Sequence, residues 1–280
     1  MTTLVRKVLT IAALAVLVAV ASRAKPAPVE DTRPPLLRQV GIDQRLNQQL
    51  PLDLVFRNET GQQVPLRAYF GRRPVVLTLV YYECPMLCNQ VLNGLVSALR
   101  VLKFDAGREF DIVTVSFNPR ETPALAAEKK QNYLARYKRP TAADGWHFLT
   151  GEPEAIDALT RAVGFRYAYD PATKQFAHAS AILVLTPDGR IARYFYGIEY
   201  APKDLRLGLV EASQGKVGNL VDQVLLYCFH YDPATGKYGA IAMNIMRIGA
   251  VLTVLLLGGF MTVLWRRDAR AKRIAGGRAA

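Results

Sequence analysis

The chain is 280 residues long, carries a formal net charge of +13 and a hydrophobic share of 51%, and contains three cysteines. That length holds one large domain or two small ones, and three cysteines are too few to staple a disulfide scaffold. Arg6, Lys7, Arg23 and Lys25 supply +4 of the charge and the tail from Arg266 supplies +5, so residues 26–265 carry only +4. A basicity confined to the two ends excludes nucleic acid as a partner and points to membrane flanks.

Residues 1–24 have the layout of a secretory signal peptide. Arg6 and Lys7 form the charged start, Val8 to Ala21 is an apolar run of 14, and the small residues Ser22 and Ala24 precede Lys25. Fourteen residues are short for a membrane span, so cleavage near Lys25 is expected. Residues 25–49 read as a linker and N-terminal segment, with Pro26, Pro28, Pro34 and Pro35 favouring extended chain.

Residues 50–213 hold the folded domain. A strand over residues 52–57 and a turn at Asn58–Gly61 come first, then a helical turn over Leu66–Phe70. Val75 to Tyr82 is a run of β-branched, apolar and aromatic residues that reads as a buried strand. Leu87, Val91, Leu95, Leu99 and Leu102 then recur at three- or four-residue spacing, the stripe of an amphipathic helix. A second buried strand is expected over Phe110–Phe117, and Thr122 with Pro123 caps and opens a helix to about Tyr137. Next come a short strand (Trp146–Leu149), a helix (Glu152–Val163) and a strand (Phe165–Tyr169). Ser180–Leu185 and Ile191–Tyr196 flank Thr186-Pro187-Asp188-Gly189, a hairpin signal, and Pro202–Ala212 forms a last helix. This order predicts an α/β fold, a mixed sheet with helices on both faces. With two cysteines at the end of the first inner strand, the architecture is thioredoxin-like.

Residues 214–240 read as a juxtamembrane insertion containing Cys228 and His230. A transmembrane helix is expected over residues 241–265, because Ile248–Trp265 is 18 residues without a charge, about 27 Å of helix. Trp265 suits the interface, and Arg266 and Arg267 open a basic tail, residues 266–280, placed in the cytoplasm. The expected location is therefore the cell inner membrane, with one C-terminal anchor and the domain in the periplasm.

Cys84 and Cys88 sit at the turn between the central strand and helix, where helix-terminal N–H groups lower a thiol pKa. Three intervening residues, where thiol oxidoreductases use two, put both sulfurs on one helical face. Two thiolates suit Cu(I), and an added imidazole also suits Cu(II). A structural or redox disulfide fits the pair equally well. His178, just before the hairpin strand, is the candidate third ligand, since thioredoxin-like topology brings that loop to the cysteine turn. Of the other two histidines, His147 reads as a packed residue of an apolar strand and His230 belongs to the insertion. Met86 offers a thioether but reads as a packing residue. Cys228 and His230 could form a second copper-handling pair, against the plainer reading of a buried thiol and an interfacial histidine.

The segments TLVYYECPMLCNQ, VSFNPRETP, WHFLTG and FAHASAILVLTPDGRI, in this order, resemble the Sco/SenC family over roughly residues 50–212. The resemblance implies a thioredoxin-like fold and one copper ion bound by Cys84, Cys88 and His178. It also implies a role in assembling the copper site of cytochrome c oxidase subunit II, with another copper chaperone as a potential donor. The chain departs from the family in its C-terminal anchor, in Asn118 where the family's "DP" turn has an acid, and in the Cys228-x-His230 insertion. The competing function is a thiol–disulfide oxidoreductase, which needs the redox pair Cys84 and Cys88 but not His178. A peroxidase-like role ranks last, because no threonine or arginine lies beside Cys84 in the local sequence to activate peroxide.

Overall fold

The structure is a computed structural model that describes residues 34–84, 86–217, 231–232, 237–238, 248–261, 263–264 and 266–267. Pro34–Tyr227 forms one compact unit. Its strands are β1 (Gly41–Ile42), β2 (Val55–Arg57), β3 (Gln63–Pro65), β4 (Val75–Val80), β5 (Asp111–Ser116), β6 (Trp146–Leu149), β7 (Phe165–Asp170), β8 (Gln175–His178), β9 (Ala181–Leu185) and β10 (Ile191–Tyr196). Four helices of ten or more residues accompany them: α1 (Leu87–Val101), α2 (Pro123–Tyr137), α3 (Pro153–Ala162) and α4 (Pro202–Ser213).

Five strands form the central sheet in the order β10-β9-β4-β5-β6. β4, β5 and β6 run parallel, while β9 is antiparallel to β4 and β10 antiparallel to β9. Every residue of β4, β5 and β9 is buried. Continuous burial is what a strand covered on both faces requires, and it explains the unbroken apolar runs in these segments. This is the thioredoxin-like arrangement expected from the order of elements.

Local chemistry sets the helices. α1 buries Cys88, Val91, Leu92, Leu95, Val96, Ala98 and Leu99 along one stripe. The Thr122 hydroxyl caps α2 by accepting the Leu125 N–H at 3.4 Å, with Pro123 in the first turn. Behind the sheet, the fully buried Trp146 donates its indole N–H to Thr114 Oγ1 at 2.9 Å, and Thr78 bonds the same hydroxyl at 2.9 Å. These bonds satisfy polar atoms that burial would otherwise strand.

Two features differ from the sequence expectation. The strand over 165–170 is not part of the central sheet: β7 pairs with β1 and β8 in a separate antiparallel sheet of order β1-β7-β8. Its burial is incomplete, buried at Phe165 and Ala168 but exposed at Arg166 and Tyr169, unlike the fully buried inner strands of the central sheet. His178 lies not in a loop but at the end of β8, a four-residue strand too short to mark itself by periodicity.

In the second unit, Tyr231–Asp232 pairs with Lys237–Tyr238. Residues 248–261, 263–264 and 266–267 are helical and exposed. The expected C-terminal transmembrane helix is not found in that form: among the described residues, no helix is long and apolar enough to cross a membrane. The expected signal peptide, Cys228, His230 and the tail beyond Arg267 lie outside the described residues.

Candidate metal centre

β4 ends at Val80, and the chain turns through Tyr81–Cys84 before α1 begins at Leu87. The Cys84 N–H bonds the Tyr81 carbonyl at 3.3 Å, closing that turn. At the second residue of the helix, the Cys88 N–H donates to Cys84 Sγ at 3.3 Å. Cys84 thus serves one of the free donors of the helix N-terminus, which favours negative charge on sulfur. Cys88 Sγ accepts the Tyr81 N–H at 3.3 Å. Both thiols are free and buried, Cys84 at 5% and Cys88 at 1% exposure.

The third member arrives from the small sheet. β8 and β7 pair Tyr167 with His178, and this hairpin delivers the imidazole to the cysteine turn. His178 Nε2 stands 3.3 Å from Cys88 Sγ, and Nδ1 lies 2.9 Å from the Ala179 carbonyl oxygen. A carbonyl only accepts, so Nδ1 carries a proton and Nε2 is the ring nitrogen turned to the sulfurs. The ring packs among Tyr81, Phe117 and Phe165, at centroid distances of 6.0, 5.2 and 6.1 Å. The ligating atoms of Cys84, Cys88 and His178 all lie within 4.8 Å of one another. Two sulfurs and one imidazole nitrogen at that separation could hold a single soft ion.

The two thiols do not titrate alike. The Cys84 pKa is lowered, first by the Cys88 side-chain hydrogen bond and further by His178, against the opposing effect of burial. The Cys88 pKa is raised, by burial first and then by the Cys84 charge beside it. The two sulfurs therefore titrate as a coupled pair, in which loss of one proton hinders loss of the second.

Sequence reasoning named all three of these residues, and the fold brings them together. It missed Glu121, a buried carboxylate that accepts the Tyr82 N–H at 2.7 Å and the Glu83 N–H at 2.8 Å, and also bonds the Ser116 hydroxyl. These bonds pin the two residues before Cys84, and burial outweighs them in raising the Glu121 pKa. Nothing in Arg120-Glu121-Thr122 marks this role, since it arises from contacts 38 and 39 residues away. Asn118, where an acid was expected, is buried and accepts the Arg120 N–H through Oδ1 at 3.2 Å, so it supplies the turn chemistry without a charge. Met86 does not pack as expected. It is 65% exposed, because it caps α1 from outside the buried stripe. His147 is partly buried and packs on the Tyr69 ring at 4.4 Å, away from the thiols.

Comparison with known proteins follows the same lines. The SCO1/SenC family model matches residues 43–207. A SCO1 protein homolog of Bacillus subtilis (strain 168) is 22% identical over 151 residues, covering 53% of this chain and 75% of that one. A crystal structure of a protein from Aquifex aeolicus VF5 superposes with a TM-score of 0.55 at 23% identity, covering 61% of this chain and 96% of that one. The crystal structure of Arabidopsis thaliana ScoI with copper bound gives a TM-score of 0.48 at 19% identity, covering 58% of this chain and 96% of that one.

Proposed function

The chain belongs to the SCO1/SenC family, and from that premise we propose that it is a membrane-anchored, extracytoplasmic copper chaperone for cytochrome c oxidase assembly. One copper ion is its cargo, held by Cys84, Cys88 and His178, and subunit II of the oxidase is the recipient. The carrying observation is that the two sulfurs and an imidazole nitrogen of His178 lie within 4.8 Å of one another.

Each residue has a part in loading. Cys84 meets the ion as the thiolate favoured by the helix N-terminus and the Cys88 hydrogen bond. Cys88 must surrender its proton as it ligates, so binding releases protons and weakens in acid. The Ala179 carbonyl engages Nδ1 of His178, which leaves Nε2 as the nitrogen that would ligate the ion. Two thiolates favour Cu(I), and the imidazole extends the set to Cu(II).

The anchor in this reading is the charge-free run Ile248–Trp265, followed by Arg266 and Arg267. Its support is the exposure of the large apolar residues Val251, Leu252, Val254, Leu255, Leu256 and Leu257 in the helical segment. The signal-like residues 1–24 support export of the domain.

A second reading, a thiol–disulfide oxidoreductase, is favoured by two free cysteines at one helix N-terminus, Cys84 accepting the Cys88 N–H. Copper content of the reduced full chain in detergent, wild type against His178→Ala, separates the two. The chaperone reading expects one copper per wild-type chain and an affinity weaker by roughly tenfold or more in the variant. No copper in either chain, with thiols that still reduce a model disulfide, would leave the oxidoreductase.

A further inference from the structure

Asn89 is the third residue of α1 and follows Cys88 directly. Asparagine is a weak helix former because its short amide competes for nearby main-chain groups, and here the amide reaches back to the cysteine turn. Its Nδ2 donates to the Cys84 carbonyl at 3.0 Å, while its Oδ1 accepts Lys129 Nζ from α2 at 3.2 Å. A carbonyl only accepts and an ammonium only donates, so these two partners fix which way the amide faces. The Tyr133 hydroxyl, one turn beyond Lys129 on α2, donates to the Asn89 carbonyl at 3.4 Å. Cys84 is thereby held at its N–H by the Tyr81 carbonyl, at its sulfur by the Cys88 N–H and at its carbonyl by Asn89. The first two bonds lie within the turn. The third continues through the amide to a second helix. An aspartate would offer the carbonyl no donor, and a leucine neither donor nor acceptor, so the position uses the amide rather than its volume.

We propose that Asn89 is a positioning residue for the cysteine turn: its amide couples the Cys84 carbonyl to Lys129 and so fixes the Cys84 sulfur against Cys88 and His178. The inference rests on the reading of this centre as a copper site and deepens it. Ligands already in place bind an ion more tightly, because less chain has to be ordered as the ion enters. The positive charge on Lys129 strengthens its bond to the amide, which makes α2 a firm anchor for the turn. A second bond joins the same two helices one turn further from the cysteines, where Asn93 Oδ1 accepts Arg136 Nη1 at 2.7 Å. Holding the helices together and holding the turn are therefore separable.

The test uses the reduced full chain in detergent carrying Cys228→Ser as parent, with Asn89→Leu, Asn93→Leu or Lys129→Met added. Two quantities are read: Cu(I) affinity by competition with a coloured Cu(I) chelator, and amide hydrogen exchange of residues 82–88 in the metal-free chain. Asn89→Leu is expected to bind Cu(I) about tenfold more weakly than the parent and to exchange the turn amides roughly three- to tenfold faster. Asn93→Leu breaks a bond between the same helices and is expected to stay within about twofold of the parent in both. Lys129→Met is expected to shift both in the direction of Asn89→Leu, and it decides the inference should that variant not fold. An Asn89→Leu chain within about twofold of its parent in either quantity, or an equal shift in Asn93→Leu, overturns the inference. A parent that takes up no copper ends the metal reading instead, and the exchange rates alone then decide the place of Asn89.

Discussion

His147 shows how burial alone gives a histidine a pH-dependent cost. Burial comes first and the Lys130 charge second in lowering its pKa to about 4, with Glu59 and Asp144 opposing and Arg73 adding to the effect. The ordinary value is about 6.5, so between pH 6.5 and 4 the unfolded chain binds more protons than the folded one. The contribution of His147 is therefore complete above pH 6.5 and lost as pH falls towards 4, to a limit of about 3 kcal/mol. Urea unfolding at pH 7.5 and pH 5 is expected to show a larger acid loss for wild type than for His147→Gln; equal losses would contradict it. Residue type decided what was legible at this scale. Cysteine and histidine are scarce here, three of each, so Cys84, Cys88 and His178 could be singled out from spacing and order. Glu121 belongs to a common type, and its role arises from a partner distant in sequence, the Tyr82 N–H.

Among the elements, α1 carries both the centre and a constraint on its own position. A Cβ at Gly94 would run into the Ile198 carbonyl oxygen, a backbone atom that cannot swing aside. Two effects of Gly94→Ala oppose each other: about 1 kcal/mol of helix propensity gained, and about 1–3 kcal/mol or more lost to overpacking. Because the obstacle is backbone, the clash is expected to win and the denaturation midpoint to fall. A raised midpoint would mean that propensity governs. The elements carrying the core were legible because their signals are long: β4, β5 and β9 are buried throughout, and α1 has a four-turn stripe. The small sheet was not. β1 has two residues and β8 four, and their pairing with β7 is set by long-range register rather than by any local pattern. His178 was nevertheless assigned to the centre, because its place in chain order before β9 survives the difference between loop and strand.

At the scale of the whole molecule, the proposal joins a compact domain to an apolar C-terminal run. The anchor reading expects the full chain in the membrane fraction after carbonate washing, and a chain ending at residue 217 in the soluble fraction. Equal release of both by carbonate would remove the anchor while leaving the metal centre intact. The central claim is that centre, and the coordination of copper in the loaded full chain tests it most directly. X-ray absorption at the copper edge is predicted to show two sulfur neighbours and one imidazole nitrogen in the reduced wild type. His178→Ala is predicted to lose the nitrogen and keep the sulfurs. Copper with no sulfur neighbours, or an unchanged nitrogen in the variant, would contradict a site built from Cys84, Cys88 and His178.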